Sequence, residues 1–221
     1  TTEAQREVWV ADQLDPKASL AFNESVTLAL RGSVDPQAMT KAIDALVSRH
    51  DILRSALSSD GTELLIQEVN SIVLEVDDLT DVSPVEADAL LSAFLAAETS
   101  TPFDLINGPL FRARLISLAP DEHALVLGAH HLVCDGFSFG ILLNELAPLY
   151  RAAVTGVEHN LPPADSFADY AAKLASDQQT LIDAAADLQY WQGEYADDLP
   201  AVLELPTSKP RPSNRTFASA R

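Results

Sequence analysis

The stretch ALVLGAHHLVCDGFS, running from Ala124 to Ser138, decides how the rest of this chain folds. Ala124, Leu125, Val126 and Leu127, followed by Gly128 and Ala129, form a continuous apolar run that ends at His130 and His131, with Asp135 and Gly136 four residues further on. Such a run, bounded by polar residues and glycine, has the pattern of a strand buried on both faces. Titratable groups placed where a buried strand gives way to a loop are held by rigid structure and can still face a ligand. Gly136 is expected to allow a tight turn, after which a helical pattern starts at Phe137. Buried strand, paired histidines, acid, glycine and helix together make a candidate active site.

Working outward, the segments on both sides alternate between strand and helix patterns. Phe111, Ala113 and Leu115 alternate with Arg112 and Arg114 as a half-exposed strand, and a turn at Asp121-Glu122 makes it an antiparallel hairpin with the central run. The helix after the motif spans Phe137–Ala153, with Leu142, Leu143, Leu146 and Leu149 inward. At the start of the chain, Thr2 and Gln5 have capping-box spacing before a short helix through Trp9 and Val10. Phe22 to Leu30 alternates, with Val26, Leu28 and Leu30 on one side, as a strand does. Asp35-Pro36 is a cap followed by proline at the first helical position, and Met39, Ala42, Ile43, Leu46 and Val47 recur at helical spacing behind it. Two strands, Glu63–Val69 and Ile72–Val76, follow, the first preceded by an Asp60-Gly61 turn. Ser83-Pro84 opens a helix whose inner face carries Leu90, Phe94 and Ala97. Beyond Gly156 come a Leu161-Pro162-Pro163 linker, helices around Phe167–Leu174 and Thr180–Tyr195, and an extended, proline-rich tail from Leu205 to Pro212. Helices intermixed with hairpins predict a mixed α/β layer sandwich.

Composition narrows the function classes. At 221 residues the chain can bury a substantial core, as one large domain or two small ones. A net charge of −19 with no basic stripe argues against a phosphate backbone or an anionic membrane as partner. No apolar run reaches transmembrane length. The single cysteine, Cys134, cannot form an internal disulfide, which makes the cytoplasm the natural compartment. The chain starts at Thr1 rather than Met and is expected to be cut from something longer.

Adjacent residues of an extended segment point to opposite faces, so His130 and His131 do not serve one site together. His130 is expected to be a hydrogen-bonded core residue and His131 to be the group that faces a ligand. Two adjacent histidines with an acid four residues on lack a recognised metal-ligand spacing, and no metal is expected. Cys134 has no base placed for it and reads as a small apolar filler. A neutral imidazole can take a proton from an amine or hydroxyl near neutral pH, with Asp135 orienting it or holding the loop through an arginine. Ser138 offers a hydroxyl, and Gly136 lets backbone approach a ligand. From residues alone the chemistry is acyl transfer or proton abstraction.

His130-His131-Leu132-Val133-Cys134-Asp135-Gly136-Phe137-Ser138 resembles the HHxxxDGxS signature of condensation domains in nonribosomal peptide synthetases. Other landmarks are similar in the same order: Thr2 through Trp9, Asp12-Gln13-Leu14 with Phe22-Asn23, Arg49-His50-Asp51-Ile52-Leu53-Arg54, Tyr190-Trp191, and Leu205-Pro206-Thr207 through Pro212. Phe137 stands where the family often has tryptophan, and Ser208 where it often has aspartate. The resemblance implies a chloramphenicol acetyltransferase-like lobe, a mixed sheet with flanking helices. Residues 1–163 would be the N-terminal lobe carrying HHxxxDG. Residues 164–221 would be a helical and proline-rich segment leading to a C-terminal lobe absent from this chain. The reaction implied is amide formation between an acyl or aminoacyl donor and an aminoacyl acceptor. Both would be thioesters on the 4'-phosphopantetheine arms of carrier proteins, with an adenylation domain adjacent and no cofactor in the domain itself. His131 would be the base or would position the amine. His130, Asp135, Gly136, Ser138 and Arg54 would support it, with Asp135 paired to Arg54 or to an arginine of the absent lobe and Gly136 lining the donor side. Phe22-Asn23-Glu24-Ser25 and Cys134 resemble condensation domains of mixed polyketide–peptide assembly lines. Epimerisation, ester formation or a non-catalytic docking role are the alternatives the resemblance leaves open. The fragment alone is expected to be inactive.

Overall fold

The structure, a computed structural model, describes residues 1–14, 18–68, 74–196 and 206. Its centre is the apolar run, which forms strand β6 (Glu122–His130), buried at every position but the first. Beside it lie β1 (Asn23–Arg31) and β5 (Phe111–Ala119), both antiparallel to it, and β4 (Glu75–Asp78) pairs parallel with β5. The order β1-β6-β5-β4 is a mixed sheet, and β2 (Ser55–Leu57) with β3 (Leu64–Ile66) forms a separate two-stranded ribbon. The mixed α/β sandwich with flanking helices is therefore present as expected.

Alternation of side chains along the strands divides the core in two. On one face Leu125 and Leu127 of β6 and Leu115 of β5 pack against two helices, α2 (Pro36–Arg49) and α4 (Gly136–Thr155). These helices contribute Ile43, Leu46 and Val47, and Leu142, Leu146 and Leu149. Each such side chain, removed from water, contributes about 1.5–3 kcal/mol. On the other face Ile116, Ala124 and Val126 pack against Ala87 of α3 (Pro84–Ser100), with Leu90 and Phe94 partly buried beside it. Ala97, assigned to that inner face from spacing, is exposed, and Glu98 is turned toward the sheet instead. Gly128 makes room for it: a Cβ there would lie 1.9 Å from Glu98 Oε1.

The local signals at helix starts are realised. Asp35 Oδ1 accepts from the N–H groups of Gln37 and Ala38 ahead of Pro36. Thr2 and Gln5 cap α1 (Glu3–Leu14) reciprocally: Thr2 N–H donates to Gln5 Oε1 (3.0 Å) and Gln5 N–H to Thr2 Oγ1 (3.3 Å). The helix runs further than Val10. Gly61 sits at φ +70° directly under the Trp9 ring, where conformation and space both require glycine. Of the two strands expected over Glu63–Val69 and Ile72–Val76, the described residues show Leu64–Ile66 and, shifted along the chain, Glu75–Asp78, while Val69, Ile72 and Val73 lie outside the described residues. So does the proline-rich tail except Pro206. The later helices are α5 (Phe167–Ser176) and α6 (Gln178–Glu194). No helix among the described residues is long and apolar enough to cross a membrane.

Candidate active site

The end of β6 sends its two histidines apart. His130 is completely buried on the α3 face, its ring centroid 5.9 Å from that of Phe22 and 6.0 Å from that of Phe103. Its Nδ1 accepts the Leu132 N–H at 3.2 Å, which places the proton on Nε2. Burial, reinforced by the neighbouring His131, pushes its pKa down to about 4. His130 is thus a neutral core residue, as strand geometry predicts.

His131 follows the last residue of the strand and continues its pairing, with its backbone N–H donating to Phe22 O at 2.8 Å. Its side chain is 39% exposed, and Nδ1 lies 2.7 Å from Glu24 Oε1. Glu24 is the carboxylate that spacing within the motif does not reveal. It stands opposite Ala129 in the β1–β6 register, so strand parity puts it on the same face as His131. The signal for it lies in β1 itself, where Glu24 shares parity with the inward-facing Val26, Leu28 and Leu30.

The loop after His131 is held from three directions. Gln5 of α1, itself buried, donates from Nε2 to Leu132 O at 2.9 Å. Leu132, Val133 and Cys134 are buried in the core. Asp135 caps α4, with Oδ1 accepting from the Ser138 N–H (2.8 Å) and the Ser138 hydroxyl (2.6 Å). Those bonds hold the Asp135 carboxyl below its ordinary value. Burial pushes the Cys134 thiol up to about 12, with the charges of Glu24 and Asp135 adding to it, which leaves no reactive thiolate at neutral pH.

Two expectations about this loop need correction. The arginine expected as Asp135's partner, Arg54, is engaged elsewhere: Nη1 donates to Gln67 O at 2.5 Å. Arg54 lines a cleft of about 600 Å³ with Phe94, Glu98, Arg112 and Arg114, and His131 is not among its walls. Among the described residues the Asp135 carboxylate is bonded locally, as the cap of α4. Gly136 does not serve a tight turn either, because its φ is not positive and it is already the first residue of α4. Nothing lies within 4 Å of where its Cβ would be, so the space beside it is open.

Arg49-His50-Asp51 proves to be a structural clamp. Glu145 of α4 takes Arg49 Nε at 2.8 Å and His50 Nε2 at 2.6 Å, and Arg49 also reaches Pro162 O. Asp51 accepts from Ser166 Oγ, Phe167 N–H and Ala168 N–H at the start of α5. Among the described residues no group of three or more His, Cys, Asp or Glu side chains gathers as metal ligands do.

The chain belongs to the condensation-domain family, whose model matches residues 1–221. It is 36% identical to malpibaldin synthetase of Mortierella alpina over 98% of its own length, and 35% identical to phosphinothricin tripeptide synthetase PhsC of Streptomyces viridochromogenes over 99%. It spans only 4% and 20% of those proteins. Among solved structures, the starter condensation domain of rhizomide synthetase RzmA superposes with a TM-score of 0.76 at 27% identity, over 89% of this chain and 47% of that one. The first condensation domain of the calcium-dependent antibiotic synthetase, in complex with a substrate analogue, gives 0.72 at 26% identity, over 90% and 48%. The chain therefore spans about half the length of the solved condensation domains it matches.

Proposed function

We propose that this chain is the N-terminal half of a two-lobed condensation domain that forms an amide in nonribosomal peptide assembly, with His131 as the group that receives the amine proton or positions the amine. Residues 1–163 are the lobe that carries the site, and 164–221 lead to a C-terminal lobe. The observation that carries this reading is the separation of the two histidines. His130 is sealed in the core, while His131 is exposed at the mouth of the motif loop beside open space at Gly136.

The donor and acceptor are carried as thioesters on the 4'-phosphopantetheine arms of two carrier proteins, and the domain binds no cofactor of its own. A thioester is already activated, so holding two tethered reactants together supplies much of the rate. An α-amine with a pKa near 8 needs modest help to react as the free base. Gly136 lines the donor side, and an adenylation domain of the same assembly line selects the acceptor. The Phe22-Asn23-Glu24-Ser25 segment with Cys134 favours an upstream polyketide module as the donor's source. The exposed aromatic stack at the C-terminal end of α6, where Tyr190 packs on Trp191 and Trp191 on Tyr195 just beyond the helix, is the surface that meets the second lobe.

The test uses a complete two-lobe domain with two loaded carrier proteins. His131→Ala should lower amide formation by roughly 10²–10⁴-fold, the range for loss of a general base, with the melting temperature kept. An ester or an epimerised donor as the product, or an undiminished rate in His131→Ala, would overturn the assignment.

A further inference from the structure

We propose that Glu24 is the positioning residue of His131, holding the ring with its proton on Nδ1 so that Nε2 is the nitrogen that accepts. The contact is built by the sheet. Glu24 is opposite Ala129, and His131 extends the same ladder through its N–H to Phe22 O, so both side chains leave the sheet on one face at neighbouring positions. The result is Nδ1 at 2.7 Å from Oε1. Asp135, the acid the motif offers for this task, has its Oδ1 committed to Ser138. Glu24 is the carboxylate in ion-pair contact with the ring.

A carboxylate has no proton to donate near neutral pH, so the nitrogen facing it must carry one. A neutral imidazole then has its lone pair on Nε2, and the carboxylate set against the other nitrogen is what fixes the tautomer. The same carboxylate stabilises the imidazolium once Nε2 is protonated, the logic of an acid behind a catalytic histidine. Resting on the amide-forming reading, the step is as follows. The acceptor nitrogen attacks the thioester carbonyl carbon, the C–N bond forms and the C–S bond breaks. The proton lost by nitrogen passes to Nε2 and from there to the departing thiolate, so the ring ends as it began. With both side chains partly exposed, at 39% and 33%, the pair can be reached by an incoming amine.

The test has two independent readouts. In this chain labelled with ¹⁵N-histidine, long-range ¹H–¹⁵N spectra should show His131 as the Nδ1–H tautomer. Glu24→Leu should move it toward the Nε2–H form that free imidazole prefers in water, while Glu24→Asp, one methylene shorter, should shift it only partly. In the two-lobe domain, Glu24→Leu should lower kcat for amide formation by on the order of 10²-fold with little change in KM, the signature of a group that acts on the transition state through another. An unchanged His131 tautomer in Glu24→Leu, or a shifted tautomer with unchanged kcat, would overturn the proposal. If the parent two-lobe domain makes no amide, the condensation reading falls, and the spectra alone then decide whether Glu24 sets the tautomer.

Discussion

Asp135 holds both the backbone N–H and the hydroxyl of Ser138, three residues along the chain, at 2.8 and 2.6 Å. This makes the aspartate of the motif a helix cap. It fixes the first turn of α4 and, through it, the direction in which the loop leaves His131. Replacing a capping aspartate with alanine costs about 0.5–2 kcal/mol, so Asp135→Ala should lower the melting temperature by a few degrees. Ser138→Ala should reproduce part of that loss. Arg54, bonded to the Gln67 carbonyl, belongs to a different contact. The effects of Asp135→Ala and Arg54→Ala should therefore add, to within roughly 0.5 kcal/mol, in a double-mutant cycle by urea unfolding. A coupling well above that would mean the two side chains pair in solution.

His130 gives the fold a pH dependence on the acidic side of neutrality. Its pKa of about 4 in the folded chain lies below the ordinary 6.5 of the unfolded state. Between these values the unfolded chain binds the extra proton, so stability is fully present above 6.5 and declines as pH falls toward about 4. At pH 5 the loss from this one residue should be on the order of 2 kcal/mol relative to pH 8. His130→Asn should be less stable than the parent at pH 8, because a fitted ring is lost, but its stability should change less between pH 8 and pH 5. Parallel slopes for parent and variant would show that the buried ring is not the titrating group.

What could be read from sequence was what is local. The burial of β6, the Asp35-Pro36 start, the Thr2–Gln5 cap and the divergence of His130 and His131 each depend on residues within a few positions of one another. The contacts that sequence missed join distant segments. Glu24 meets His131 only because β1 pairs with β6 in one register, and a slip of one residue would turn the carboxylate to the other face. The resemblance pairs Asp135 with Arg54 or with an arginine of an absent lobe, whereas the position of Arg54 at the end of the Asp51–Arg54 turn directs it to Gln67. The apolar stripe of β1 did contain the missing clue, since a glutamate in step with inward-facing Val26, Leu28 and Leu30 must find a polar partner.

Glu145 ties α2 to α4 through Arg49 and His50, with all three side chains between 12% and 16% exposed. Desolvation pushes its pKa up, but the hydrogen bonds and charges of Arg49 and His50 outweigh this and hold it below its ordinary 4.5. A depressed carboxylate contributes stability above its unfolded pKa and loses it as pH falls through the folded one. Glu145→Gln should therefore cost about 1.5–3 kcal/mol at neutral pH, the range for hydrogen bonds to a charged group. The gap to the parent should narrow below pH 4 as the parent's own carboxyl protonates. A gap independent of pH would place the loss in packing rather than in the ion pairs.

The last prediction concerns activity of the 221-residue chain by itself. Its site has one built wall: His131 and Glu24 above the end of the sheet, and the first turn of α4 with open space at Gly136. The solved condensation domains it superposes on are about twice as long, and the proposed reaction needs two tethered reactants held at once. Proximity of that kind is worth roughly 7–11 kcal/mol, and on the proposed two-lobe reading most of it should be lost without the second lobe. The chain should nonetheless fold, because α2 and α4 on one face and α3 on the other give the sheet two cores of its own. The expected result is a cooperative melt together with no detectable amide when the chain is mixed with loaded donor and acceptor carriers. Addition of the second lobe should restore product, and the restored rate should be lost in His131→Ala. Amide formed by the chain alone, and abolished by the same substitution, would show that a single lobe suffices to bring the reactants together.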